Sequence, residues 1–149
     1  MKASGYIKSI IVFTVLLYAL GGCTKGSNPD ESSNVPNVSV NITININTST
    51  YNALTKIGGV VNISGGYRGI LLYRVNSGTI VAFDRTCTYD ISDVNGIVQS
   101  QTNGTAICLE CGSTYNLVNG NVYSGPTTIG LKSYNASFNT GTGILTVTN

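Results

Sequence analysis

The stretch Cys108-Leu-Glu-Cys111-Gly-Ser113-Thr-Tyr115-Asn-Leu-Val-Asn-Gly120-Asn-Val-Tyr-Ser-Gly125-Pro126 packs more chemistry and more turn signals than any other part of the chain. It holds a C-x-x-C step, a Gly-Ser pair, an Asn-Gly turn and a Gly-Pro bend. A second cysteine segment lies upstream: Asp84-Arg85-Thr86-Cys87-Thr88-Tyr89-Asp90. Each segment follows a short apolar run that reads as a strand: Thr79 to Phe83 before the first, Thr105 to Ile107 before the second. Two cysteine loops at the ends of two strands form a clamp for a metal, a cluster or a disulfide.

The rest of the mature chain reads as strands and turns. Val38 to Ile46, VSVNITINI, alternates apolar and polar residues with period two, the pattern of a half-buried strand. Tyr51 to Ile57 is irregular and fits a short helical turn or a loop. Val60 to Ile63 is a strand, and Ile70 to Val75 is a near-continuous apolar run of the kind buried on both faces. Asn76-Ser77-Gly78 and Asn119-Gly120 are hairpin signals. Pro126 ends the strand before it, because proline has no N–H for a ladder. Leu131 to Phe138 and Ile144 to Thr148 form a last hairpin across Thr140 to Gly143. No helical stripe follows residue 23. With 18 glycines in 149 residues, the chain reads as one all-β domain, a sandwich or barrel.

The N-terminal residues have another purpose. Lys2 and Lys8 precede the apolar run Ile10 to Leu20, and Leu20-Gly21-Gly22-Cys23 follows. This is the order of a secretory signal, and the run is short for a span of roughly 20 residues. The small pair directly before Cys23 resembles a bacterial lipobox. That resemblance implies cleavage of residues 1–22, a lipid on Cys23 and a place in the bacterial cell envelope, on a membrane. Residues 23–37 are polar with two prolines and read as a tether. The domain is expected over 38–149. Loss of Lys2 and Lys8 brings the formal charge from +2 to zero, and only 9% of residues are charged. That excludes a nucleic-acid partner, which needs a basic stripe with aromatics.

The two cysteine segments resemble those of the Rieske iron–sulfur family. There the first loop carries C-x-H, and the second carries C-x-x-H followed by Gly-Ser-x-Tyr and later by a Gly-Pro loop. The resemblance spans roughly residues 59–148. It implies an antiparallel β-sandwich or barrel with a cluster-binding subdomain, and a [2Fe–2S] cluster held by two cysteines and two histidines. Carried over residue by residue, Cys87 and Cys108 are the thiolate ligands, and Ser113 and Tyr115 are the hydroxyls facing the cluster sulfurs. Gly125 and Pro126 belong to the covering loop. Tyr89 and Cys111 stand at the histidine positions, and the chain has no histidine at all.

The ligand count therefore leaves three readings of Cys87, Cys108 and Cys111. One is a Rieske-like scaffold without its cluster, locked by a Cys87–Cys108 disulfide with Cys111 free. Another is a [2Fe–2S] cluster completed by Tyr89 or Asp90, serving electron transfer to a redox partner. A third is zinc, for which Cys₃ plus an oxygen ligand suffices. Tyr89 also reads as an aromatic filling the space of an imidazole, and Ser113 as a residue that merely closes a turn. Without histidine there is no Ser-His or Cys-His pair, so no enzyme constellation is present. Asp84, Asp90, Asp93 and Glu110 lie near the loops, with Glu110 expected to face solvent and Arg85 to pair with Asp84 or Asp90. A partner, if any, is a redox or surface protein, and the lipid anchor supplies the membrane contact.

Overall fold

The structure, a computed structural model, describes residues 34–149; the signal, Cys23 and most of the tether lie outside the described residues. Ten strands are present, with no α-helix among the described residues. They are β1 (Asn41–Asn45), β2 (Val60–Ile63), β3 (Ile70–Arg74), β4 (Ile80–Asp84), β5 (Val98–Ser100), β6 (Thr105–Cys108), β7 (Thr114–Asn116), β8 (Val122–Ser124), β9 (Ser133–Asn139) and β10 (Ile144–Thr148). A six-stranded sheet runs β1-β10-β9-β4-β3-β2, and a four-stranded sheet runs β5-β6-β7-β8. All pairings are antiparallel. The all-β expectation holds, and the irregular segment after β1 contains a 3₁₀ turn, Asn52–Thr55.

The double burial of β3 follows from its place between two cores. Ile70 and Leu72 face one cluster with Val40, Ile44, Leu145 and Val147. Leu71 faces the other, with Phe83, Cys87, Cys108, Tyr115 and Leu117. All three β3 residues have no exposed surface. An alternating strand would expose one face; the Ile70-Leu71-Leu72 stretch has none to expose, so it is continuously apolar. The second core is built from the small sheet, and it contains two of the three domain cysteines.

The packed part of the chain starts ahead of Val38. Val35 is buried, and Lys132 Nζ donates to Pro36 O and to Asn37 Oδ1, each at 3.0 Å. At the other terminus, the Asn149 amide donates to Asn37 Oδ1 and Val38 O, both at 2.8 Å.

One buried carboxylate joins the large sheet to the first cysteine loop. Asp84 ends β4 and has no exposed surface. Its Oδ1 accepts from Thr86 N–H at 2.9 Å, Thr86 Oγ1 at 2.5 Å and Arg68 N–H at 3.4 Å. Its Oδ2 accepts from Tyr67 N–H at 2.6 Å and Tyr134 Oη at 2.7 Å. Gly66 makes room for this: a Cβ there would sit 2.4 Å from Tyr134 Oη and 2.5 Å from Asp84 Oδ2, at a φ of +62°.

Asp84→Ala strands several buried donors at about 1–3 kcal/mol each, so a loss of at least ~3 kcal/mol of stability is expected in chemical denaturation. Gly66→Ala should destabilise through the same site. Asp90→Ala, at an exposed loop carboxylate, should leave the denaturation midpoint in place. Equal midpoints for all three variants would contradict this assignment.

Candidate metal centre

Cys87 enters the site from the loop after β4. Its N–H donates to Gly96 O at 2.8 Å, Val98 N–H donates to Arg85 O at 2.7 Å, and Thr86 bridges to Ile97. Arg68 reaches over the same loop, donating to the carbonyls of Asp93 and, at 2.6 Å, Ile91. These bonds hold Cys87 at 1% exposure. Arg85 does not pair with Asp84 or Asp90; its Nε turns to Val98 O at 3.3 Å, because Asp84 is already occupied by backbone and hydroxyl donors.

Cys108 is the last residue of β6, and Cys111 lies in the turn to β7. That turn closes through Gly112 N–H to Cys108 O at 2.8 Å and Cys108 N–H to Ser113 O at 2.9 Å. Gly112 sits at φ +73°, where glycine is favoured. Cys108 is buried and Cys111 partly so.

The three sulfurs lie within 4.8 Å of one another. The shortest approach is Cys87 Sγ to Cys111 Sγ, 3.4 Å. All three are separate thiols with no sulfur pair at disulfide distance, so the structure does not show the Cys87–Cys108 disulfide expected from the sequence. The sulfurs are spaced as ligands to one ion would be.

Hydroxyls complete the surroundings. Ser113 Oγ lies 3.1 Å from Cys111 Sγ, and the Ser113 N–H points to the same sulfur at 3.5 Å. Ser113 Oγ accepts from Thr127 N–H at 3.3 Å and from the Cys111 thiol; when that thiol loses its proton, the Ser113 hydroxyl can turn its own proton to the sulfur. Gly125, next to Pro126, packs on Ser113 so closely that a Cβ would sit 2.4 Å from the Ser113 Cα. Tyr115 Oη lies 3.5 Å from Cys87 Sγ and 3.1 Å from Thr88 Oγ1, and it accepts from Thr88 N–H at 3.3 Å. Thr88 Oγ1 spends its own proton on Ile129 O at 2.5 Å, which leaves the phenol proton to be shared between Thr88 and the Cys87 sulfur.

Titration follows from these contacts. Burial, then the neighbouring Cys87 and Cys111 thiols, push the Cys108 thiol up to about 12. Burial also raises Tyr115, reinforced by Cys87. Burial acts upward on Cys111 too, but the Ser113 hydroxyl and amide and the two other sulfurs outweigh it and leave this thiol below its ordinary value.

Tyr89 is 56% exposed and lines, with Asp90, Asp93 and Glu110, a cavity of about 160 Å³ that opens from the three sulfurs. It stands at the mouth. Glu110 is exposed, and Asp90 is lowered by Ser92, whose hydroxyl and amide both bond it. A larger groove of about 520 Å³ along the 3₁₀ turn, lined by Asn52, Lys56 and Ile57 among others, gathers no such chemistry.

Sequence reasoning missed Thr88, Thr127 and Arg68. Thr88 and Thr127 are buried and bonded to each other at 3.0 Å across 39 residues, a pairing no local spacing signals. Asp84 carried a weaker sign: an aspartate two residues before a bonded N–H is an Asx turn.

No family model and no curated protein matches the chain. Among solved structures, the chain is similar to one chain of the complex of reduced oxygenase and oxidized ferredoxin in carbazole 1,9a-dioxygenase. The TM-score is 0.46 and the identity 21%, over 62% of this chain and 82% of that one.

In the reduced, metal-free protein, iodoacetamide should label Cys111 before Cys87 and Cys108, since thiolate character and access set the rate. Ser113→Ala removes a donor that favours the Cys111 thiolate, so the pH profile of labelling should move upward. Equal rates at all three cysteines, or an unmoved profile in the variant, would overturn this ordering.

Proposed function

We propose that this chain is a lipid-anchored, Rieske-like domain of the bacterial cell envelope in which the usual [2Fe–2S] site has become a three-thiol centre. The observation that carries the reading is the convergence of Cys87, Cys108 and Cys111 from two loops onto one point. The motifs C-x-x-C-G-S-x-Y and Gly125-Pro126 support the Rieske-like part, and the residue order Leu20-Gly21-Gly22-Cys23 supports the anchor.

The family's cluster does not fit the residues present. A cluster of that type needs four side-chain ligands, two on each iron. Cys87 and Cys108 would serve one iron, leaving Cys111 and one more group for the other. Ligands on different irons stand on opposite sides of the cluster, yet Cys111 Sγ is 3.4 Å from Cys87 Sγ. The remaining candidates are Tyr89, a largely exposed phenol, and Asp90, an exposed carboxylate already bonded by the Ser92 amide and hydroxyl.

The other reading, electron transfer through a [2Fe–2S] cluster with altered ligands, is favoured by the two-loop, two-cysteine arrangement and makes the opposite prediction. Protein purified from membranes without air should be colourless, with neither iron nor acid-labile sulfide. About two irons and two sulfides per chain would establish the cluster and end the present reading. Cys23→Ala should abolish lipid attachment and release the domain from membranes or block its processing; normal maturation on the membrane would remove the anchor from the proposal.

A further inference from the structure

The absence of a fitting cluster leaves three converging thiols to account for. We propose that Cys87, Cys108 and Cys111 bind one thiophilic d¹⁰ dication, zinc(II), with the fourth coordination position open to the cavity at Tyr89. This inference rests on the reading that the centre is not a [2Fe–2S] site.

The distances favour one metal ion. With zinc–sulfur bonds of about 2.3 Å, a tetrahedron places its sulfurs about 3.8 Å apart. Here one pair is at 3.4 Å and all three lie within 4.8 Å. The observed spacings bracket the tetrahedral value.

The backbone holds the ligands where they are needed. Cys108 and Cys111 form the two-residue bite of a tight turn, closed by the Gly112 N–H on the Cys108 carbonyl. The third ligand comes from a separate loop, fixed by the Cys87 N–H on Gly96 and by Arg68 on the carbonyls of Ile91 and Asp93. Ligand loops pinned from outside lose little further freedom when a metal binds.

The charge is accommodated as well. Binding converts three thiols to thiolates, releases their protons to solvent and leaves a net charge of −1 with a dication. The Ser113 hydroxyl and N–H reach Cys111, and the Tyr115 hydroxyl reaches Cys87. Such donors to ligand sulfurs orient and stabilise a thiolate site. The carboxylates at the cavity are partly engaged: Asp90 with Ser92, and Asp93 with the Asn95 N–H. Glu110, the third carboxylate of the cavity, is exposed to solvent; the open position is assigned to solvent water, the arrangement of a zinc site with three protein ligands.

The test uses the full chain in detergent, reduced, stripped of metal by chelator and kept without air. Cobalt(II) should bind at about one ion per chain and give the intense visible bands of a tetrahedral thiolate site, and zinc(II) should bleach them. Each of Cys87→Ser, Cys108→Ser and Cys111→Ser should remove the thiolate-to-cobalt absorption or weaken binding by about tenfold or more. Ser113→Ala, which keeps all three ligands, should retain the spectrum and weaken cobalt binding by about tenfold, with far-ultraviolet circular dichroism unchanged. Failure of the reduced, iron-free chain to take up cobalt, or undiminished binding by Cys87→Ser, overturns the zinc site and leaves the cluster-less reading standing. Iron and acid-labile sulfide in the protein as isolated overturn the cluster-less reading itself.

Discussion

The carboxylate of Asp84 is the point on which the join between the large sheet and the first cysteine loop depends. It has no exposed surface and five donors. Two of those donors belong to Thr86, which immediately precedes Cys87. Two are backbone amides of the Tyr67–Arg68 turn, and Arg68 in turn grips the far side of the cysteine loop. The fifth is Tyr134 of β9. A carboxylate taken out of water must be met by hydrogen-bond donors, or its burial is costly. Here the donors come from the turn between β2 and β3, from β9 and from the loop after β4, so satisfying one carboxylate ties the cysteine loop to the large sheet.

That relation decides what the site is. Cys87 is held by the large sheet through Asp84 and β4, while Cys108 and Cys111 belong to the small sheet. The three sulfurs meet only because the loop after β4 is braced on both sides. The hydroxyls of Ser113 and Tyr115 are held in turn by Thr127 and Thr88. The donors near the sulfurs are therefore positioned before anything binds. The cost of that order is borne in folding, through a polar network of buried threonines in which every member is bonded. Among the described residues no buried side-chain nitrogen or oxygen lacks a partner.

Much of the architecture was legible in the sequence, and for a specific reason. β1, β3, β9 and β10 carry apolar residues whose period matches their burial, and Asn-Gly or Asn-Ser-Gly steps mark turns that the chain makes. The uninterrupted Ile70-Leu71-Leu72 run signalled double burial, and β3 lies between two cores. What the sequence hid was long-range and polar. An aspartate in a turn-like segment reads as a solvated residue, and nothing local distinguishes Asp84 from Asp90, although one is fully buried and the other exposed. The sulfur arrangement was hidden for the same reason. The resemblance to the Rieske family paired Cys87 with Cys108 across the loops, whereas the β6–β7 turn brings Cys111 to within 3.4 Å of Cys87.

The sheet order also governs how the chain can be assembled. The small sheet is a meander of sequential neighbours, and β2, β3 and β4 are likewise adjacent, so these parts can form as soon as they leave the ribosome. β1 is different. Its ladder partner is β10, with Thr43 opposite Thr146, 103 residues away. The first strand must wait, unpaired and half apolar, until the last has been made, and β4 likewise waits for β9 to complete its second edge. The large sheet is thus closed by the end of the chain. A polypeptide built this way stays open along its first strand until β10 has been made.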